Sequence, residues 1–231
     1  LLDSGILIVD KPAGMTSMDV IRELRRVAYC KRVGHGGTLD PFATGVLPIL
    51  FNNATKASEK IMSGMKEYEG VLYLGLSYDT QDMTGKPLHE ERPIPPDLRL
   101  ENIQDEAKNF EGDILQRPPQ FSAIKRMGRP LYDYARAGES VEVEPRPVYV
   151  ESFKIEERLD ERRFRFRVKS AKGVYVRTLI HDLGQNLGLG GVLESLRRTQ
   201  AGPFLIDQAV QLSTLKVPSD IRLHLKPISA V

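Results

Sequence analysis

Apolar and polar positions alternate along the chain in short blocks, and no single period persists. Gly5 to Asp10 is a short apolar strand ended by the turn sequence Lys11-Pro12-Ala13-Gly14. Thr16 and Ser17 are N-cap residues for a helix running to about Val27. Val20, Ile21, Leu24 and Val27 share one face of it, and Arg22, Arg25 and Arg26 lie largely off that face. A glycine-rich loop, Val33 to Gly45, follows, then a buried apolar run, Val46 to Leu50, and a helical pattern from Ala54 to Met65. Glu69 to Leu76 reads as a strand with Val71, Tyr73 and Gly75 on one face, and Ser77 to Pro87 as a turn-rich connection.

Beyond the proline loop at Pro93 to Pro96, Glu101 to Phe110 is helical in pattern, and Arg117 to Gln120 is a second proline break. Leu131 to Ala137 predicts a short helix stopped by Gly138, and Val141 to Val150 a proline-interrupted strand at a sheet edge. Arg163 to Lys169 alternates strictly. Phe164, Phe166 and Val168 face one way, and Arg163, Arg165, Arg167 and Lys169 the other, which predicts a half-buried strand with a basic outer face. Thr178 to Leu187 is an amphipathic helix, and Gly188 to Gly191 leads into a second helix, Val192 to Arg198; signals from 204 onward are weak. Strands and helices mix without regular βαβ alternation. This predicts an α+β fold with a mixed, largely antiparallel sheet flanked by helices.

Composition narrows the chemistry. With 231 residues, 41% of them hydrophobic and 28% charged, the chain is of ordinary globular type. No apolar run approaches the roughly 20 residues of a membrane span, so no membrane partner and a cytoplasmic location are expected. The chain begins without Met, which suggests a trimmed start. One cysteine, Cys30, rules out an internal disulfide, and the four histidines are scattered, so no metal site is expected. The net charge of +2 hides an asymmetry. Residues 61–150 carry 11 Lys+Arg against 16 Asp+Glu, a balance of −5, and residues 151–200 carry 11 against 7, a balance of +4. Segregated positive charge suits a phosphate backbone, although from charge alone a solvated strand pair is the better account. Phosphate-binding P-loop, dinucleotide and nucleophile-elbow motifs are all absent from the sequence, and no cofactor is implied.

The densest anomaly is Gly34-His35-Gly36-Gly37-Thr38-Leu39-Asp40-Pro41-Phe42-Ala43-Thr44-Gly45, with four glycines in twelve residues. Such a run costs backbone entropy and is tolerated where a partner must approach closely. Pro41 restricts Asp40 to extended or bridge conformations, so the carboxylate is presented from a constrained loop. An ordinary turn in which Asp40 caps the next segment would carry the same residues.

The segment from Gly34 through Thr38-Leu39-Asp40-Pro41 to Pro48 resembles the catalytic motif of the TruB family of tRNA pseudouridine synthases. Ile8 to Ser17, Lys66-Glu67-Tyr68-Glu69-Gly70, Phe121 to Gly138, Lys172 to Gly184 and Leu196-Arg197-Arg198-Thr199 resemble further motifs of that family, in collinear order over roughly residues 5 to 205. The resemblance implies the pseudouridine synthase catalytic fold over 1–205, with 121–138 as an RNA-gripping insertion. It leaves 206–231 as a tail where relatives carry a PUA-type RNA-binding domain. The continuation after Pro41 looks more like the stand-alone bacterial enzyme than the guide-RNA-dependent relatives.

The activity so implied is isomerisation of the T-loop uridine of tRNA (position 55 of tRNA) to pseudouridine, by a monomer needing no cofactor and no obligate protein partner. Asp40 is the catalytic carboxylate in this pattern, and Arg177 the cation that keeps it ionised. Tyr68 stacks on the flipped-out uracil and helps move its C5 proton. Tyr175 and Leu196 are pocket residues, His35 fills the space the base leaves or holds the flipped-out bases, Asp82 supports the arginine network, and Lys125, with Arg126 and Arg129, meets T-arm phosphates. Lys11 and Pro12 shape the floor. Without the resemblance, Tyr68 would be read as strand core, Leu196 as helix core and Asp82 as a turn carboxylate. Two other readings stay open: a guide-RNA-dependent synthase, and a non-catalytic tRNA-folding chaperone.

Overall fold

A computed structural model describes residues 2–230. In chain order the elements are β1 (Gly5–Lys11), α1 (Ser17–Ala28), β2 (Val33–His35), β3 (Thr44–Phe51), α2 (Ser58–Ser63), β4 (Lys66–Leu74), α3 (Leu100–Lys108) and β5 (Gly112–Gln116). There follow β6 (Lys125–Arg126), β7 (Arg129–Pro130), α4 (Leu131–Arg136), β8 (Arg146–Arg158), β9 (Arg163–Ser170), α5 (Val176–Asn186), β10 (Gly191–Ala201), β11 (Phe204–Leu205), β12 (Val210–Gln211) and α6 (Pro218–His224). This is the α+β class with a largely antiparallel sheet that the unpatterned alternation implies. The chain divides into two compact units, residues 1–69 with 195–231, and residues 70–194.

In the first unit β1 runs antiparallel to β3 over its whole length, from Gly5↔Phe51 to Lys11↔Gly45. β2 pairs with the far end of β3, and β10 lies parallel to its start through Arg197↔Thr44 and Arg198↔Gly45. Ile6, Ile8, Val46, Leu50, Ala54, Ile61, Ala201 and Phe204 form one core cluster. At about 1.5–3 kcal/mol for each large apolar side chain, that burial is the main force holding the strands together. The start of α1 is fixed by a capping box. The Asp19 carboxylate accepts from Thr16 N at 3.0 Å, while Thr16 Oγ1 accepts from Asp19 N at 3.0 Å. Val20, Ile21 and Leu24 are buried as the helical period requires, joined by Ala28 rather than by the half-buried Val27.

The weakly patterned tail belongs to this unit as well. β12 lies parallel to β1, and Ile6 exchanges two backbone hydrogen bonds with Lys226, of 2.9 and 2.8 Å.

In the second unit β8 runs between β5 and β9. The expected edge strand at 141–150 is therefore a longer strand, 146–158, with neighbours on both sides. Pro147 is tolerated because it pairs only with Leu115 of β5; the register with β9 begins at Val150. Phe164, Phe166 and Val168 of β9 are fully buried, as their alternation predicts. The opposite face is not free positive charge, because each cation has a carboxylate partner. Arg163 pairs with Asp160 and Glu194 at 2.9 Å, Arg165 with Glu157 at 2.9 Å, Arg167 with Glu156 at 2.9 Å and Lys169 with Glu151 at 2.7 Å.

The helix expected over Val192 to Arg198 is strand β10. Leu193 N donates to Gln81 O and Met83 N donates to Leu193 O, both at 3.2 Å, so backbone partners at 81–83 pull a helix-forming sequence into extended form. Leu196 is accordingly a strand residue, not helix core. β4 begins at Lys66, so Tyr68 lies inside the strand with Lys66, Leu72 and Leu74 on its buried face, while Val71 and Tyr73 are partly exposed. The helical pattern at 54–65 resolves into a 3-10 turn, Asn52–Ala57, and the short α2.

Candidate active site

The Asp40 loop joins β2 to β3, and its backbone is fastened from several directions within the first unit. Gly36 N donates to Pro48 O at 2.8 Å and Gly14 N to Pro41 O at 2.8 Å. The buried Ser17 hydroxyl accepts from Leu39 N at 2.9 Å and lies 3.2 Å from Leu39 O. Ala43 N donates back to Asp40 O at 3.1 Å, closing the turn that carries the carboxylate.

Two buried cations complete the clamp. Lys11, fully buried, donates through Nζ to Pro12 O at 2.8 Å, Met15 O at 2.6 Å and Pro41 O at 3.1 Å. Arg198, 1% exposed, donates Nε to Val46 O at 2.7 Å, Nη1 to Thr38 O at 3.3 Å and Nη2 to Gly37 O at 3.0 Å. Both spend their hydrogen bonds on main-chain carbonyls, and three of these, at Gly37, Thr38 and Pro41, flank Asp40 on both sides. Burial pushes the Lys11 ammonium down to about 8; the negative charge of Asp40 opposes that shift and Arg198 adds to it. A Cβ at Gly45 would stand 2.2 Å from Arg198 O, in a backbone conformation with φ near 103°, so glycine is needed where β3 and β10 meet.

His35 ends β2 and accepts from Gly37 N at 3.3 Å through Nδ1. Burial and, second, the Arg198 charge hold its pKa below the ordinary value, which favours neutral imidazole. Asp40 is half-buried, and Tyr68 and Leu196 are each 8% exposed. The first unit thus contains Asp40, His35, Tyr68 and Leu196, together with Lys11 and Arg198. Arg198 was not singled out from sequence. Its signal was available in the Leu196-Arg197-Arg198-Thr199 run, but nothing in that run tells which arginine turns inward. Arg197 forms a forked pair with Asp10, at 2.8 and 3.1 Å, on the side opposite to Arg198 in the strand.

The remaining expected residues lie in the second unit. Arg177, on α5, is 5% exposed and donates to Thr80 O and Phe121 O, both at 2.9 Å. Asp82 Oδ2 stands 3.6 Å from Arg177 Nη1. Asp82 Oδ1 accepts from Thr80 Oγ1 at 3.0 Å, Thr84 N at 2.9 Å and the Thr84 hydroxyl. The turn carboxylate and the arginine support are therefore the same residue, each role using one carboxylate oxygen. Tyr175 is held by its backbone: its N–H donates to Gln116 Oε1 at 2.8 Å and its carbonyl accepts from Gln116 Nε2 at 3.1 Å. The 121–138 segment is the hairpin β6–β7 followed by α4, with Lys125 and Arg126 exposed and Met127 93% exposed at the tip. Arg129 packs over the Tyr134 ring at 4.3 Å and stiffens the base of the hairpin.

Comparison with known proteins identifies the family. The family model described as TruB family pseudouridylate synthase (N terminal domain) matches residues 25–176, and the tRNA pseudouridylate synthase B C-terminal domain model matches 177–228. The chain is 45% identical over 221 residues to a tRNA pseudouridine synthase B of Stutzerimonas stutzeri, covering 96% of this chain and 70% of that protein. It is 46% identical to the protein of that name from Opitutus terrae, covering 92% and 87%. Among solved structures, a Cbf5–Nop10–Gar1 complex superposes with a TM-score of 0.75 at 29% identity, covering 98% of this chain and 60% of that one. The chain thus spans three-fifths of the length of that structural relative. With consecutive family models running from residue 25 to 228 and relatives above 40% identity, the chain belongs to the TruB family of pseudouridine synthases.

Proposed function

We propose that this chain isomerises a uridine of tRNA, the T-loop uridine at position 55 of tRNA, to pseudouridine, with Asp40 as the catalytic carboxylate. The observation that carries the proposal is the clamp on the Asp40 loop. Two buried cations and a buried serine fix the main chain on both sides of one half-buried carboxylate. A carboxylate that only capped a turn would not call for two buried charges to position its backbone. Such preorganisation is what a group acting on a developing positive charge requires.

In the proposed reaction the C1′–N1 bond breaks as C1′ gains cationic character beside Asp40. The uracil turns, C5 bonds to C1′, the C5 hydrogen leaves as a proton and N1 takes one up. The reaction is an isomerisation with no net oxidation. The base must leave the folded loop to react, and we assign Tyr68 as its stacking platform and His35, kept neutral, as the group that occupies the vacated space. Leu196, Tyr175, Arg177, Asp82 and Lys125 take the substrate-binding and charge-balancing roles given them by the family pattern. The guide-dependent reading is favoured less, because relatives named tRNA pseudouridine synthase B are 40–46% identical and the Cbf5 complexes 28–29%.

The test is tritium release from a tRNA transcript labelled at uracil C5, with wild type and Asp40→Asn in parallel. Release by wild type alone supports the proposal. No release by wild type, with tRNA still bound, overturns it in favour of a guide-dependent or chaperone role. Arg177→Lys, which loses the planar fork, is expected to be severely impaired in the same assay.

A further inference from the structure

Where α1 ends, Tyr29 stands 84% exposed with φ 49°, in the left-handed region. That position closes a helix and ordinarily suits glycine, so a tyrosine there strains the backbone. The ring gives nothing back in burial. The surrounding charge is strongly positive. Between residues 22 and 32 the chain carries Arg22, Arg25, Arg26, Lys31 and Arg32 against Glu23 alone, and all five cations are exposed. Arg22 is paired with Asp19, whereas Arg25 is anchored at the Val33 carbonyl and Arg32 at the Thr55 hydroxyl, neither of which neutralises it.

Tyr29 also lines an open cleft of about 460 Å³ together with Leu2, Cys30, Lys31 and Asn52. Asn52 is a second non-glycine residue at positive φ, 53°. Asn52 adopts that conformation readily, and its amide is committed to the Leu2 carbonyl at 2.8 Å; the strain that faces the cleft is that of Tyr29, and strain of this kind clusters at functional sites.

We infer that Tyr29 and the cations around it form a second RNA contact, in which an unpaired base stacks on the Tyr29 ring while Arg26, Lys31 and Arg32 meet the adjoining phosphates. An exposed aromatic ring within a positive surface is the chemistry that holds single-stranded nucleic acid. The surface is close to the Asp40 loop in chain terms. His35 lies six residues beyond Tyr29, at most about 22 Å even if fully extended, so one RNA can touch both. The inference rests on the reading of the chain as a tRNA-acting enzyme, and it adds a contact outside the residues assigned to chemistry.

The test measures binding of unmodified tRNA transcript to the full chain by fluorescence anisotropy across a salt series, with tritium release under single-turnover, saturating-enzyme conditions alongside. Tyr29→Ala and Tyr29→Gly are expected to weaken binding about 5- to 150-fold, the range set by 1–3 kcal/mol for one stacked base, and Tyr29→Phe to bind as wild type. Tyr29→Gly should also raise Tm, since it relieves the left-handed backbone; lost affinity with gained stability is not the signature of a structural residue. Arg26→Glu combined with Lys31→Glu should lower the slope of log affinity against log salt by about 1.4 or more. The saturated isomerisation rate should stay at the wild-type value in every one of these variants. Wild-type affinity in Tyr29→Ala together with a wild-type salt slope in the double variant overturns the inference. Weakened binding in these variants, with no tritium release even by wild type, would overturn the proposed reaction and leave the contact standing.

Discussion

Lys11 Nζ donates to the carbonyl of Pro41 at 3.1 Å, so a fully buried ammonium holds the peptide that follows Asp40. All three of its hydrogens are committed to carbonyls, and burial brings its pKa from the ordinary 10.5 to about 8. As pH rises through about 8 the group becomes an amine with two hydrogens, and one carbonyl loses its donor. The saturated rate of tritium release is expected to fall across that limb, and Lys11→Met to be slow at every pH. Stability moves the other way. Between about 8 and 10.5 the unfolded chain holds a proton that the folded chain has released, so linkage raises stability as pH rises. A flat rate profile from pH 7 to 10 would remove the ammonium from control of the loop.

Arg198 gives three hydrogen bonds to Val46, Thr38 and Gly37 and has almost no exposure. Arg198→Met leaves those carbonyls unsatisfied at an expected cost of about 3 kcal/mol or more, a Tm loss of roughly 6–12 °C for a chain of this size. Arg198→Lys cannot reproduce the planar fork and should retain the fold better than the activity. Urea unfolding together with single-turnover rates separates the two effects. Wild-type rates in Arg198→Lys would show that the loop does not need both of its anchors.

Asp82 and Arg177 have side chains only 5% exposed and stand 3.6 Å apart. Asp82→Ala takes a carboxylate from beside the buried guanidinium and empties the acceptor of Thr80 and Thr84, with an expected loss of about 1–3 kcal/mol. Asp82→Asn keeps the turn acceptor while losing the charge, and should fall between wild type and Asp82→Ala in thermal unfolding. Equal stability of the alanine variant and wild type would reduce the pair to a surface-like contact.

Burial alone raises Asp182, on α5, from 3.8 to about 6. The folded state then binds more protons than the unfolded state across that window. The contribution of this one group to stability is therefore greatest below about pH 4, declines as pH rises to about 6 and stays lower above it. Asp182→Asn should flatten that slope and melt above wild type at pH 7. An unchanged slope would mean that the carboxyl is better solvated than its position on the helix implies.

How far the sequence could be read depended on the range of the forces involved. The capping box at Thr16 and Asp19, the alternation along β9 and the turn that ends β1 act within a few residues, and their elements stand where the pattern places them. β10 does not. Its Leu, Glu and Arg favour a helix locally, and only pairing with β3, β4 and β11 and with residues 81–83 makes it a strand. The basic face of β9 was legible as a row of cations, but the carboxylates that neutralise it come largely from β8, and that pairing depends on a register with two shifts that alternation alone does not disclose.

The sequence by itself determined the family, through the spaced Thr38-Leu39-Asp40-Pro41 and Leu196-Arg197-Arg198-Thr199 blocks, and the local elements whose periods are short. Tertiary structure alone decided which charges turn inward. Arg198 looks like any surface cation in the chain, and only the family resemblance sets Lys11 apart from one. They become the anchors of the Asp40 loop only because β1, β3 and β10 lie side by side and leave main-chain carbonyls that nothing else can satisfy.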